Sequence, residues 1–334
     1  MIRTKSLALV TLLVACGGSG GVDIDGGNDG GGGNDGSVPD GSGPGNDGGT
    51  TDGGSTDGGS TDGGNGDGST FNVANVNGLV LWLEGDVSTS ITQSSPDAGT
   101  QSITVWADQT SHHNDAKGLT APQGLGRNPT VKTNAIHGLD AVHFNQGTGN
   151  VGNMLTIADN ADDSLQWGTG DFYVAIVGDF DNVPTKGANL GVGNFFSKAA
   201  VGGTSSITGV SFYGNVPATN TNPTAGLYFQ TQSTVNNFAS TATAYNDGAD
   251  HLFAFRRQGA KLDLYVDGTS VASTTSTGID VSTPGSGVRI GADGDATLVR
   301  LDGDIGEVIA VKGTLAGSDQ SGIEGYLKAK WATP

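Results

Sequence analysis

The sequence predicts an all-β domain, a sandwich of two antiparallel sheets with one short C-terminal helix. Three observations favour this class. After residue 70, short runs of β-branched and aromatic residues alternate with clusters of Gly, Asn, Asp and Thr, as strands alternate with turns. Only the last segment has a helical period. Residues 71–334 are long enough for one core, and all-β sandwiches commonly reach this length as one domain.

The chain begins with a short secretory leader. Arg3 and Lys5 precede an apolar run over residues 7–14, which is too short to cross a bilayer. The four residues 13–16 read Leu-Val-Ala-Cys and resemble a bacterial lipobox. That resemblance implies that residues 1–15 are a lipoprotein signal peptide and that Cys16, the only cysteine, is the lipidated first residue of the mature protein. A cleaved secretory signal with an incidental cysteine is the alternative.

A lipidated Cys16 predicts attachment to a membrane surface, because several acyl chains hold a protein far more firmly than one. Gly17, rather than Asp, follows the cysteine, which favours the outer membrane or the cell surface as the location. With the single thiol lipidated, neither a disulfide nor a cysteine-based zinc site is expected.

Residues 16–70 are expected to form a disordered Gly/Asp-rich tether. Residues 17–70 hold ten Asp, no Lys and no Arg, and repeat the unit Thr-Asp-Gly-Gly-Ser. Such a composition cannot bury enough apolar surface to offset the entropy of ordering. It also accounts for much of the net charge of -19. An acidic surplus remains beyond residue 70, which argues against nucleic acid as a partner.

Eight apolar runs in residues 71–334 are predicted to be strands. One segment also predicts a hairpin, because Leu262, Leu264 and Val266 alternate with polar residues and Asp267-Gly268 supplies a two-residue turn. The C-terminal helix is predicted from Ser318, as its N-cap, through a stripe of apolar residues spaced three and four apart. The predicted strands are 79–83, 103–107, 141–144, 172–177, 211–213, 227–230, 252–255 and 305–311, and the helical stripe is Ile323, Tyr326, Leu327 and Trp331.

Several motifs, taken in order, resemble the LamG-like jelly-roll domain of bacterial surface proteins, within the concanavalin A-like lectin and glucanase superfamily. They are Gly-Leu-Val-Leu-Trp-Leu at 78–83, Trp-Ala-Asp-Gln at 106–109, Gly-Leu-Asp-Ala-Val-His-Phe at 138–144, Asp-Gly-Asp-Ile-Gly-Glu-Val at 302–308 and the helix at 323–331. The resemblance implies a jelly-roll sandwich over residues 75–334, with one concave sheet and ligand loops on its rim. Because fold alone does not give function, lectins, glycosidases and adhesion modules all remain open.

The carboxylates argue against catalysis. Retaining glycosidases need two carboxylates about 5 to 5.5 Å apart, and the Glu-x-Asp-x-x-Glu strand of the glucanase branch is missing. After the tether, Glu occurs only at positions 84, 307 and 324. Asp304 and Glu307 are three residues apart, so a regular strand would point them to opposite faces. No catalytic residue is therefore predicted, and adjacent His112 and His113 are interpreted as loop residues.

Aromatic side chains are the candidates for carbohydrate binding. Trp82, Trp106 and Trp331 lie in the family's structural motifs and are expected in the core. The remaining candidates could equally serve sheet packing. They are Trp167, Tyr213, Tyr228 and Tyr245.

Calcium is the one cofactor that the sequence suggests. Some LamG domains bind it at the rim, and Asp293 and Asp295 could supply two of the clustered oxygen ligands that this cation needs. The same Asp and Gly residues are also typical of a tight turn.

Together these patterns predict a lipid-anchored surface protein that contacts a glycan or a protein partner without catalysis. A degenerate glycosidase-like enzyme and a structural envelope component are the alternatives.

The lipobox predicts that Cys16→Ser abolishes membrane attachment, because the thiol that would carry the lipid is lost. Fractionation of cells expressing wild type and variant, with immunoblotting, tests this. A variant that is processed and fractionates with membranes like the wild type would contradict the anchor.

Overall fold

The computed structural model describes residues 71–94, 101–119, 128–146, 152–182, 191–202, 206–216, 225–232, 237–275, 279–293 and 300–334. These residues belong to one unit, Asn65–Pro334. The predictions for the leader, Cys16, the tether and Asp295 fall outside the described residues. Among those described, no helix combines the length and apolar character needed to span a bilayer.

The described strands form two antiparallel sheets, which confirms the predicted jelly-roll sandwich. The back sheet has the order β15-β14-β13-β8-β17-β6-β5, with β1 also paired to β17. Its strands are β1 Leu79–Glu84, β5 Thr130–Ile136, β6 Leu139–Phe144, β8 Phe172–Gly178, β13 His251–Gln258, β14 Lys261–Val266, β15 Thr269–Thr275 and β17 Gly303–Lys312.

The front sheet has the order β12-β11-β10-β9-β16-β7-β4-β3-β2. Its strands are β2 Ile91–Gln93, β3 Ile103–Trp106, β4 Ala116–Lys117, β7 Leu155–Ile157, β9 Val192–Gly202, β10 Ser206–Asn215, β11 Gly226–Gln232, β12 Asn237–Thr241 and β16 Val288–Ile290. The predicted Asp267-Gly268 hairpin is confirmed between β14 and β15, with Leu262, Leu264 and Val266 all buried.

The central strands of the back sheet, β8 and β17, are buried on both faces. One face packs on the front sheet, where Phe195, Phe212, Phe253 and Phe255 form a network of ring contacts. The other face carries a second apolar cluster that includes residues of the C-terminal helix. This explains why every residue of β8 is buried, since a strand covered on both sides is apolar throughout rather than alternating.

The helix α1, Gly317–Trp331, lies on the outer face of the back sheet. Its N-cap is Ala316, with no side-chain cap, so the predicted Ser318 N-cap is wrong. The predicted stripe is confirmed, because Ile323, Leu327 and Trp331 are fully buried. Its fourth member, Tyr326, is half-buried at the edge of the same cluster.

A buried carboxylate joins the helix to the sheet. Glu307 on β17 is fully buried and accepts hydrogen bonds from the indole Nε1 of Trp82, at 2.7 Å, and of Trp331, at 2.8 Å. Lys330 Nζ lies 2.9 Å from the same carboxylate. We call Glu307, Trp82, Trp331 and Lys330 the indole clamp. Gly306 makes room for it, because a Cβ there would lie 2.8 Å from the Trp331 ring.

The expected opposite orientation of Asp304 and Glu307 is wrong. A register irregularity between Ile305 and Glu307 shifts the alternation of β17 by one residue. Asp304 pairs with His143, and Glu307 pairs with Val177 of the helix-side cluster, so both carboxylates lie on the outer face of the back sheet. A bulge therefore overrides the two-residue period on which the expectation depended.

Trp331→Ala is expected to lower the free energy of unfolding by about 3 to 5 kcal/mol, because it removes a fully buried aromatic side chain. Chemical denaturation of residues 71–334 measures this. Gly325→Ala is the matched control: a Cβ there meets open space, so the variant should gain up to about 1 kcal/mol from helix propensity. Equal stability of Trp331→Ala and wild type would contradict the packing.

Candidate functional site

The outer face of the front sheet is polar, in contrast to its inner face. Cross-strand partners share a face, and Ser211 pairs with Ser197 and with Gln230. The next residue of β10, Phe212, points inward into the core. Continuing the pairings across β7, β16, β9, β10, β11 and β12 gives one surface, which we call the polar face. It consists of Thr156, Asn194, Ser197, Ser211, Tyr213, Tyr228, Gln230, Ser240 and Arg289.

Two of the predicted tyrosines form the aromatic part of the polar face. Tyr213 and Tyr228 are direct cross-strand partners, and their rings stack at 5.1 Å between centroids with an interplanar angle of 11°. Both are half-buried, so each keeps part of its ring exposed. The Tyr213 hydroxyl donates to Gln230 Oε1 at 3.3 Å. Burial, and then the neighbouring Tyr228, raise the pKa of Tyr213, so its hydroxyl remains protonated.

On the polar face, the buried atoms Asn194 Oδ1 and Ser197 Oγ have no hydrogen-bond partner in the described part of the chain. Asn194 uses its Nδ2 to donate to Ser211 Oγ at 2.8 Å. An unsatisfied buried polar atom typically costs about 1 to 3 kcal/mol. Both atoms are covered, so a ligand or water reaches them only if the side chains above them move.

Trp167 is not part of this surface, which corrects the sequence-based prediction. Its side chain is only 3% exposed. It stacks on Phe172 with ring centroids 4.4 Å apart and on Phe196 at 5.9 Å, so it belongs to the core between the sheets. Trp167 lies in a turn-rich segment without alternation, so the sequence does not indicate whether its side chain is buried or exposed.

Tyr245 lies apart from the stacked pair. It is half-buried in the segment after β12, with a positive φ of 55°, and its ring makes edge contacts with His251 and Phe253. Its partners therefore belong to the back sheet. The structure brings Tyr213 and Tyr228 together and leaves Tyr245 elsewhere.

The described residues do not bring together the two aspartates predicted to bind calcium. Asp293 follows β16, is half-buried and already has an interaction partner, while Asp295 is not described. Elsewhere, Glu84, Asp86 and Glu307 bring carboxylate oxygens within 4.8 Å of one another, close enough to hold a cation. Lys330 Nζ lies 2.9 Å from each of the three. The lysine ammonium thus occupies the position that a cation would take among these carboxylates and offsets one of their charges.

The three Glu residues of the domain serve structural contacts. Burial raises the pKa of Glu307, whereas the carboxylates around Lys330 outweigh its burial and raise the pKa of the lysine. Glu84 also binds Lys330, and Glu324 Oε1 accepts from Tyr173 and Gln320 on or beneath the helix. None of these carboxylates faces the polar face.

A loop network explains the Trp-Ala-Asp-Gln motif and the neighbouring histidines. The buried Asp108 accepts from the backbone N–H groups of Trp82, Thr110 and Asn114, so it fixes the loop that follows β3. His112 Nδ1 lies 2.7 Å from Asp162 Oδ2. The interpretation of His112 and His113 as loop residues is consistent with these contacts.

A second charged cluster, not predicted from the sequence, lies on the outer face of the back sheet. Asp304 is buried and receives His143 Nδ1 at 2.7 Å and Lys132 Nζ at 2.5 Å. Burial opposes ionisation, but these two partners keep the pKa of Asp304 below its ordinary value. Burial, and then the Asp304 carboxylate, raise the pKa of Asp179 to about 7. No local spacing links residues 132, 143, 179 and 304, so only the fold reveals the cluster.

No family model matches the sequence, and no curated protein matches it. Among solved structures, the chain is similar to the binding domain of botulinum neurotoxin DC in complex with SialylT, with 9% identity, 77% of this chain and 52% of that chain covered, and a TM-score of 0.45. The same toxin domain in complex with rat synaptotagmin II gives 10% identity, 75% and 52% coverage and a TM-score of 0.46.

A sialidase from Trypanosoma rangeli in complex with sialic acid gives 13% identity, 77% and 34% coverage and a TM-score of 0.46. This chain therefore spans about half the length of the toxin domains and about a third of the sialidase. At these values the similarity bears on neither ligand nor activity.

Asp179→Asn is expected to stabilise the domain in a pH-dependent way. The carboxyl has a reference pKa of 3.8 and a folded pKa of about 7, so the wild type loses stability as the pH rises between these values. Asn retains the oxygen that accepts from the Asp304 N–H but cannot ionise. The gain in free energy of unfolding should be absent near pH 4 and complete above pH 7.

Urea unfolding at several pH values measures this gain. Asp181→Asn is the matched control, since it removes the same charge at an exposed neighbouring position. A gain that is independent of pH, or an equal pH-dependent gain in the control, would contradict the assignment.

Proposed function

We propose that this chain is a lipid-anchored, LamG-like surface protein that binds carbohydrate through the polar face without catalysing its cleavage. The observation that carries the proposal is the stacked pair of Tyr213 and Tyr228, partly exposed on a sheet face that is otherwise polar. Aromatic rings beside hydrogen-bonding groups form amphipathic surfaces that suit a sugar, which has apolar C–H faces and hydroxyl edges.

The neighbours of the tyrosine pair support this ligand class. Gln230 supplies an amide group beside the pair, and Arg289 supplies donors on the same face. A sugar hydroxyl could also donate to Asn194 Oδ1 after movement of a neighbouring side chain, which would offset the cost of leaving this atom without a partner.

A non-catalytic role is supported by the positions of the carboxylates. Glycoside hydrolysis requires a pair of accessible carboxyl groups flanking the bond. In the described part of the chain, Glu84, Asp86 and Glu307 lie within 4.8 Å of one another, but all three bind Lys330 at the back sheet and Glu307 is fully buried. The lipobox at residues 13–16 supports a location at the cell envelope, and the outer membrane remains a prediction from Gly17.

Tyr213→Ala and Tyr228→Ala are each expected to weaken carbohydrate binding about ten-fold or more, because each removes half of the stacking surface. A glycan array would first identify an oligosaccharide bound by residues 71–334, and calorimetry would then compare the variants. Tyr228→Phe retains the ring and should bind within a few-fold of wild type. Thermal unfolding must show that all variants remain folded.

Absence of any array signal, or unchanged affinity of both alanine variants, would overturn the proposal. Release of reducing sugar from the bound glycan would instead favour the glycosidase-like alternative.

A further inference from the structure

A second candidate site lies at the open edge of the sandwich, away from the polar face. The last strands of the two sheets, β2 and β5, face each other across a cleft of about 420 Å³, which we call the edge cleft. This volume is within the range of about 300 to 1,000 Å³ typical of small-molecule sites. The edge cleft is lined by Gly85, Asp86, Ser88, Ile91, Gln93, Gln101, Val131, Thr133 and Asp140.

Polar side chains occupy inward-facing positions in this part of the sandwich. Gln93 pairs with the core residue Ile103, so it points to the inner side of the front sheet. On the back sheet, Thr133 and Asp140 each lie two residues from an inward-facing valine. Such departures from an apolar inner pattern are expected at functional sites rather than in a simple core.

The edge cleft is acidic. Among the described residues, its lining contains the carboxylates of Asp86 and Asp140 and no Lys, Arg or His. Behind Asp86, Lys330 is shared with Glu84 and Glu307, so three carboxylates face one ammonium group. On β5, Lys132 lies between the inward-facing residues 131 and 133, and its Nζ binds Asp304 on the outer face of the sheet.

We propose that the edge cleft binds a small organic ammonium ion that also carries hydroxyl groups, such as an amino sugar. Asp140 and Asp86 would attract the ammonium group, since charge-assisted hydrogen bonds are among the strongest in proteins. Ser88, Thr133 and the two glutamine amides would bind hydroxyls, while Ile91 and Val131 contact the carbon skeleton. Residues 17–70 are a poor occupant, because their ten Asp would be repelled.

Titration of residues 71–334 with glucosamine, followed by NMR of labelled backbone and glutamine amides, tests the inference. Saturable shifts are expected at Gln93, Gln101 and Thr133. Glucose is the matched neutral ligand and should bind about ten-fold more weakly, because it lacks the ammonium group.

Asp140→Asn should weaken glucosamine binding about ten-fold, while its side-chain oxygen can still accept from the Asn134 N–H. Asp319→Asn removes one charge at a distant helix position and should not change the affinity. Equal binding of glucose and glucosamine, shifts confined to Tyr213 and Tyr228, or a dissociation constant weaker than about 10 mM would each overturn the inference. Because the polar face is not involved, this result and the test of carbohydrate binding there are independent.

Discussion

The packing of the helix on the back sheet depends on the interactions of the buried Glu307 carboxylate. This carboxylate binds an indole from β1, an indole from α1 and the ammonium of Lys330 at once. A buried charge is tolerated only when such partners are all present, and loss of one leaves the others uncompensated. The helix needs this attachment, because it contains three glycines and begins without a side-chain cap. The clamp therefore stabilises an element that would be marginal alone.

The helix also determines which surface is left for recognition. By covering the back sheet, it turns β8 and β17 into central strands with apolar side chains on both faces. The front sheet has no such helix among the described residues, and its outer face is built from hydroxyl, amide and aromatic groups. One sheet thus serves mainly for stability, and the other presents chemistry to the surroundings.

Sequence reasoning succeeded where the relevant signal is local. Strand alternation and an Asp-Gly turn predicted the β14–β15 hairpin, and helical spacing predicted the buried stripe that ends at Trp331. It failed where distant partners or register decide the outcome. Trp167 stacks on Phe172 of one sheet and on Phe196 of the other, and the bulge before Glu307 reverses the expected faces. The edge cleft likewise could not be predicted from the sequence, because its inward-facing polar residues come from the edges of two different sheets.

The two ends of residues 71–334 lie on the same side of the domain as the helix. Phe71 packs beside Gly322 of the helix, and Val73 belongs to the helix-side cluster, as does Trp331 near the other end. Both ends of residues 71–334 therefore leave from the rear of the sandwich. Anything joined at either end, whether an affinity tag, a fluorophore or a solid support, would sit behind the domain and leave its front unobstructed, which gives the isolated domain a built-in orientation for immobilisation.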